Sequence, residues 1–328
     1  MLELIEKNTT SVLKTREQTI EIDNDAITYS VSFLSNGSDF VCGGREGKIQ
    51  RRRGKDGQKV GPAMHTGGYV LDIAVSPDGR WIVSGTDTGQ VTVWNAETHE
   101  RVMEIKAHRR RVYAVDMSPD GARIATGSED RSACVWSLST GEQVLGPLKH
   151  QAWVAAVKYS PLGDFFATAT WNRKSIRIYD SQNGHLLLDI PMRVSSHINQ
   201  SLAWSVDGRE LYALTHDGQI HCLDPSTGAS RFWWSIHSKG PECIALARSG
   251  KFIAASANSS ISFWDTFTHE KIGHVIEHAD VLWSLCISLD DNFLASGGNG
   301  HKITIQSLDK ILPRSYLVRL PVRVDIVN

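Results

Sequence analysis

The sequence predicts an all-β fold, a seven-bladed β-propeller of four-stranded antiparallel blades. Three observations predict it. Glycine recurs at positions 37, 79, 121, 163, 208 and 250, at spacings of 42, 42, 42, 45 and 42 residues. Histidine keeps step at positions 65, 108, 150, 197, 237 and 278, each ahead of a β-rich run. The units also share words: Ser76-Pro77-Asp78-Gly79, Ser118-Pro119-Asp120-Gly121 and Ser160-Pro161-Leu162-Gly163 are one turn. Looser copies stand at Leu34-Ser35-Asn36-Gly37 and Ser205-Val206-Asp207-Gly208. Markers in register describe an array of one unit, and a period near 42 is that of a four-stranded blade.

The second unit shows how each strand is specified. Leu71-Asp72-Ile73-Ala74-Val75 alternates toward the Ser-Pro-Asp-Gly turn, and Trp81-Ile82-Val83-Ser84 returns as a second strand. A tight turn at Asp87-Thr88-Gly89 leads to a third strand, Val91-Thr92-Val93-Trp94. A short edge strand follows, Arg101-Val102-Met103-Glu104-Ile105. β-Branched runs separated by Gly, Pro, Asp and Asn turns are the signature of consecutive hairpins. The third strand returns as Cys134-Val135-Trp136-Ser137, Ile176-Arg177-Ile178-Tyr179-Asp180, Ile220-His221-Cys222-Leu223-Asp224 and Ile261-Ser262-Phe263-Trp264-Asp265.

With these residues in view, the chain resembles the WD-repeat family of β-propellers, and loosely the fungal-type arrays of that family. The resemblance runs from about residue 24 to residue 308 and implies blades at about 24–64, 65–107, 108–149, 150–196, 197–236, 237–277 and 278–309. It also implies a buried structural tetrad, complete only in the third unit as His108, Thr126, Asp130 and Trp136. The second unit keeps His65, Ser84 and Trp94 but has Thr88 in the aspartate's place. Asn172 and Asn258 are the nearest equivalents in the fourth and sixth units, Asp217 stands beside Leu223 in the fifth, and the first unit ends in Gln50-Arg51-Arg52-Arg53. Two segments compete for the outer strand of the last blade: Thr19-Ile20-Glu21-Ile22, within residues 15–23, and Tyr316-Leu317-Val318-Arg319-Leu320, within a 310–328 extension. The N-terminal segment is expected to close the ring, since it ties both chain ends into one sheet. Loss of residues 311–328 is then expected to be mild.

Composition narrows the function. A formal net charge of -1 argues against bulk attraction to nucleic acid or anionic membrane. No apolar run reaches transmembrane length, and the charged start lacks the core of a signal peptide. Cys42, Cys134, Cys222, Cys243 and Cys286 show no paired spacing and read as reduced thiols of an intracellular protein, cytoplasmic or nuclear. The histidines fall one per unit and cannot converge on one ion, and no phosphate loop or nucleophile–base arrangement stands out. No enzyme, metal, cofactor or small-molecule substrate is expected. Arg51-Arg52-Arg53 and Arg109-Arg110-Arg111 lack interleaved aromatics and read as solvated loops, the latter at the rim where an acidic protein could meet it.

What the resemblance implies about sites comes from the positions that family members turn toward the top rim. Here these are Tyr29, Arg45, Tyr69, Leu71, Arg111, Tyr113, Glu129, Trp153, Trp171, Gln200, His216, Glu242 and Trp283. Tyr, Trp and Arg are the side chains that anchor protein interfaces. Trp81, Trp204, Trp233 and Trp234 fall at strand positions that suit packing instead. The expected function is a non-catalytic scaffold that binds a protein or peptide within a multiprotein complex. The alternatives are a substrate receptor of a ubiquitin ligase, a ligand-sensing array such as those attached to fungal nucleotide-binding receptors, and, behind them, a propeller hydrolase. Against the first, Trp264-Asp265 is followed by Thr266-Phe267 rather than by the adaptor-docking arginine; for the second, Gly146-Pro147-Leu148 before His150 is the only hint.

Overall fold

The computed structural model describes residues 19–171, 175–192, 194, 200–215, 218–235 and 243–317, with the backbone alone for 232–235. Those residues form seven four-stranded antiparallel sheets, and no helix among them is long and apolar enough to cross a membrane. The innermost strands, in blade order, are Thr28–Phe33, Val70–Val75, Val112–Met117, Val154–Tyr159, Leu202–Trp204, Ile244–Leu246 and Leu282–Ile287. Each packs against the innermost strands of both neighbouring blades, so the sheets close into a ring.

Both faces of a blade are apolar, and the alternation of its strands serves two interfaces at once. In the second strand of blade 3, Arg123–Ser128, Ile124 packs with blade 2 while Ala125 packs with blade 4. Gly127 lies on that second face because a Cβ there would meet Val154 Cγ1 at 2.8 Å. Seven buried clusters result among the described residues, each drawn from two adjacent blades.

The lower turns are specified by short polar contacts. Ser76 Oγ donates to Asp78 Oδ1 at 2.6 Å and accepts from Trp81 N at 2.9 Å, while Gly79 sits at φ +71°. The same construction closes Ser288-Leu289-Asp290-Asp291 in blade 7, with Asp291 at φ 57° in the glycine's place. That copy escapes a search on glycine. Asp291 is held there by two backbone donors of blade 6, Arg248 N at 2.7 Å and Ser249 N at 2.9 Å.

The seventh sheet contains both ends of the ring: Thr19–Asp23 pairs antiparallel with Lys302–Ser307, from Thr19 opposite Gln306 to Asp23 opposite Lys302. Of the rival closing segment, Tyr316 and Leu317 lie in a turn, and the remainder is outside the described residues. The expectation that loss of residues 311–328 is mild meets a packed segment. After a short 3-10 turn, Leu308–Lys310, the chain folds back on blade 6 and buries Ile311 and Leu312 beside Phe252 and Phe263. Tyr316 Oη then donates to Asp265 Oδ2 at 2.6 Å, and Lys251 Nζ to Ser315 O at 2.7 Å. A chain ending at Lys310 should therefore lose about 2–5 kcal/mol against one ending at Leu317, the scale of deleting buried aliphatic side chains. Denaturant unfolding of the two truncations, beside a third lacking residues 1–23, measures both terminal anchors; equal stability of the first pair would contradict the packing.

Candidate functional site

The upper rim is built from backbone pairing before any side chain is considered. In each of five blades the residue after the second strand donates its N–H to the residue before the first strand: Arg45 to Ile27, Asp87 to Tyr69, Glu129 to Arg111, Trp171 to Trp153 and Asn299 to Val281, at 2.9–3.0 Å. Strand entry and upper turn are thereby fixed side by side at one end of the ring. Among the described residues, the side chains there form three groups. Tyr113 stacks on Trp153 at 6.0 Å, and Trp171 closes the set at 6.0 Å from Tyr113 and 5.3 Å from Trp153. Tyr29 and Trp283 meet edge to face at 6.5 Å. The Arg45 guanidinium lies 5.9 Å from the ring centre of Tyr69, which is 42% exposed.

Charge flanks the largest group. Glu129 is 3.3 Å from Arg110 and 3.9 Å from Arg111, both exposed. Burial raises the Tyr113 phenol above its ordinary range, opposed by the Arg111 guanidinium beside it. Leu71 is half-buried at the second position of its strand, equivalent to Tyr29 and Tyr113. His216 and Glu242 lie outside the described residues.

Gln200 belongs to a different part of the molecule from the rim group with which the sequence placed it. Its amide donates to Ser284 Oγ at 3.0 Å and accepts from Leu285 N at 2.7 Å, so it cross-links blades 5 and 7. The innermost strand of blade 6 is only three residues long, and a side chain reaching past it satisfies the exposed backbone. Arg51 to Arg53 also depart from the solvated-loop reading, for they form part of strand Lys48–Arg53. Arg51 pairs with Asp39 at 2.7 Å, and Arg52 is buried with its guanidinium on Gly57 O at 3.1 Å. Strand alternation turns one arginine inward. His65 is exposed at the end of its strand, and Thr66, 42 residues before His108, takes the marker position, its hydroxyl donating to Gly47 O or Gly68 O.

The ring encloses a channel. It measures about 800 Å³ and carries Asp72, Asp116 and Lys158 on inner strands. Lys158 Nζ lies 3.1 Å from Asp116, and Asp72 accepts from Val115 N and Ile73 N, both at 2.8 Å. Burial pushes the Asp72 carboxyl up to about 7. Charged residues at inward strand positions were the available signal. The lower mouth exposes Leu162, Val206 and Leu289.

Below the rim, His108 links Asp130 (Nδ1 to Oδ2, 3.0 Å) to Thr126 (Nε2 to Oγ1, 2.7 Å), and Trp136 Nε1 donates to Thr126 at 3.0 Å. Burial opposes ionisation of Asp130, yet hydrogen bonds from His108 and Ser132 outweigh it and hold the carboxyl well below its ordinary range. In blade 2, Trp94 Nε1 reaches Ser84 at 3.0 Å, and Thr88 meets only Thr86, at 2.8 Å. In blade 4 Tyr179 replaces the indole, its hydroxyl 3.2 Å from His150 Nε2, which is 2.9 Å from Thr168. Trp94 and Trp136 are buried between blades, as is Trp204; Trp81 packs partly buried, and the side chains of Trp233 and Trp234 are outside the described residues. Four cysteines are buried, Cys286 is half-buried, and all five are free thiols.

Repeat, tetrad and ring together define a WD-repeat β-propeller. A family model described as the IFT122 first beta-propeller matches residues 69–316, and the chain belongs to that family. It is also similar to autophagy-related protein 16 of Arabidopsis thaliana, 22% identical over 286 residues. That match covers 86% of this chain and 47% of the relative, so the chain spans about half the length of the curated relative it matches.

Asp130→Ala should cost about 1–3 kcal/mol, since it strands a buried imidazole donor. Thr88→Ala should cost clearly less, and equal losses on denaturant unfolding would remove the distinction between blades 3 and 2. His150 gives a pH signature. Burial lowers its imidazole to about 4 from an ordinary 6.5, so the unfolded chain binds the extra proton between those values. Its contribution is complete above the unfolded value and is lost as pH falls toward 4. His150→Asn should flatten the decline in unfolding free energy between about pH 6.5 and 5; an unchanged slope there would contradict the assignment.

Proposed function

We propose that this propeller is a rigid, non-catalytic platform that recognises a protein or peptide through its upper rim, within a multiprotein complex inside the cell. The observation that carries the reading is the group of Tyr113, Trp153 and Trp171 on adjoining blades, with Arg111 and Glu129 beside it. Aromatic rings flanked by charge suit an interface centre, and a closed ring presents them already ordered, which limits the entropy lost on binding. The family match supports a role as a propeller module, and the plant relative's name associates that protein with autophagy.

A ligase-receptor role through the strand-ending Trp264-Asp265 draws no support here. Asp265 is already engaged by Tyr316 Oη and by the backbone of Phe267 and Thr268. The rim reading is tested by alanine substitution. Tyr113→Ala or Trp153→Ala should weaken a partner recovered by affinity purification by at least about 2 kcal/mol, roughly 30-fold, with little change in melting temperature. Trp136→Ala should lower the melting temperature first. Calorimetry beside melting curves separates the two, and rim variants that melt early, or bind as the parent does, would make these rings packing.

A further inference from the structure

The seventh blade departs from the third at two of the four tetrad positions. His278 and Ser296 stand where His108 and Thr126 stand, but Gly300 replaces Asp130 and Gln306 replaces Trp136; Gln306 lies opposite Leu294 as Trp136 lies opposite Ile124. An indole and a carboxylate are missing from that interface. In their place is a cleft of about 330 Å³ between blades 6 and 7, open near Glu277 and Asp280 and floored by Gln306. Gln306 is 4% exposed and its Oε1 has no hydrogen-bond partner among the described residues. His278 Nε2 and Ser296 Oγ are likewise buried and unpartnered. Three such atoms in one dismantled tetrad need an explanation, since buried polar groups are nearly always satisfied.

The chemistry of the lining selects the ligand. A glutamine carbonyl accepts only, and an imidazole kept neutral by burial accepts at Nε2 when its proton is on Nδ1. At the mouth stand three carboxylates, Glu21, Glu277 and Asp280, against one cation, Lys302, which Glu21 already holds at 2.6 Å. The site is therefore rich in acceptors and negatively charged. We propose that this cleft binds a guanidinium group, the arginine side chain of a peptide partner. A planar guanidinium carries five N–H donors on one edge-accessible frame and so can meet amide, imidazole and carboxylate acceptors together, which a compact ammonium does less well. The site lies between blades 6 and 7, apart from the Tyr113, Trp153 and Trp171 group of blades 3 and 4, and does not depend on that group.

N-acetyl-L-arginine methylamide is the probe, titrated into the intact chain with amide chemical shifts as the readout. Saturable shifts at Gly300 and at the Gln306 side-chain amide are expected. The citrulline analogue, equal in shape but uncharged, should bind at least tenfold more weakly. Gln306→Trp restores the indole found in blades 2 and 3 and fills the cleft, so binding should fall at least tenfold while the melting temperature holds or rises. Gln306→Leu and Asp280→Asn should weaken binding without filling it, and they decide the matter should the tryptophan variant misfold. Tyr113→Ala should leave arginine binding unchanged, which keeps this inference apart from the rim reading. Absence of saturable binding, equal affinity for citrulline, or undiminished binding by the Gln306 variants would overturn it.

Discussion

A blade in this molecule has two apolar faces and can bury neither by itself. That constraint governs everything else. Each of the seven buried clusters spans two neighbouring blades, so no blade is complete until both neighbours are in place. In an open array the two end blades would leave apolar faces in water, at roughly 25 cal/mol per Å². Closing the ring removes both ends together, which is why the strand Thr19–Asp23 matters beyond its five residues. It brings the two ends of the repeat array into one sheet.

Polar contacts fix the blades' mutual positions once packing has brought them together. Side chains on inner strands accept backbone N–H groups from the next blade: Ser30 from Ile73, Asp72 from Val115, Asp116 from Tyr159 and Ser284 from Val31. These donors face the channel, where the neighbouring strand's ladder does not reach them. Asp291 and Gln200 do the same at the irregular blades 6 and 7. Rigidity at the rim follows from this, because the aromatic groups sit on strand ends whose backbones are tied on both sides.

Irregular blades are where the structure holds most that is particular to this chain. Blade 3 has a complete tetrad and is satisfied internally. Blade 1 substitutes a buried arginine, Arg52, for the indole, and binds it to the backbone carbonyl of Gly57. Blade 7 keeps two tetrad members and leaves His278 Nε2 and Ser296 Oγ without partners among the described residues. Decay of a structural motif in one unit of a ring is tolerated because the other interfaces still hold the fold.

Ring, blade number and the third blade's polar chain were legible in the sequence because they rest on local patterns repeated at a fixed period. A turn such as Ser118-Pro119-Asp120-Gly121 dictates its own geometry from four residues, and strand alternation dictates which side chains face a neighbour. Thr66 and Asp291 were within reach of the same logic but were hidden by residue identity, since position in the period, not histidine or glycine itself, defines each site. What the sequence could not specify depends on residues far apart in the chain. Gln200 reaches Ser284, and Ile311 and Leu312 return to blade 6, each across a gap that no repeat encodes. Only closure of the ring makes those residues neighbours, and only then do inward charges, terminal packing and the cleft of blade 7 acquire their surroundings.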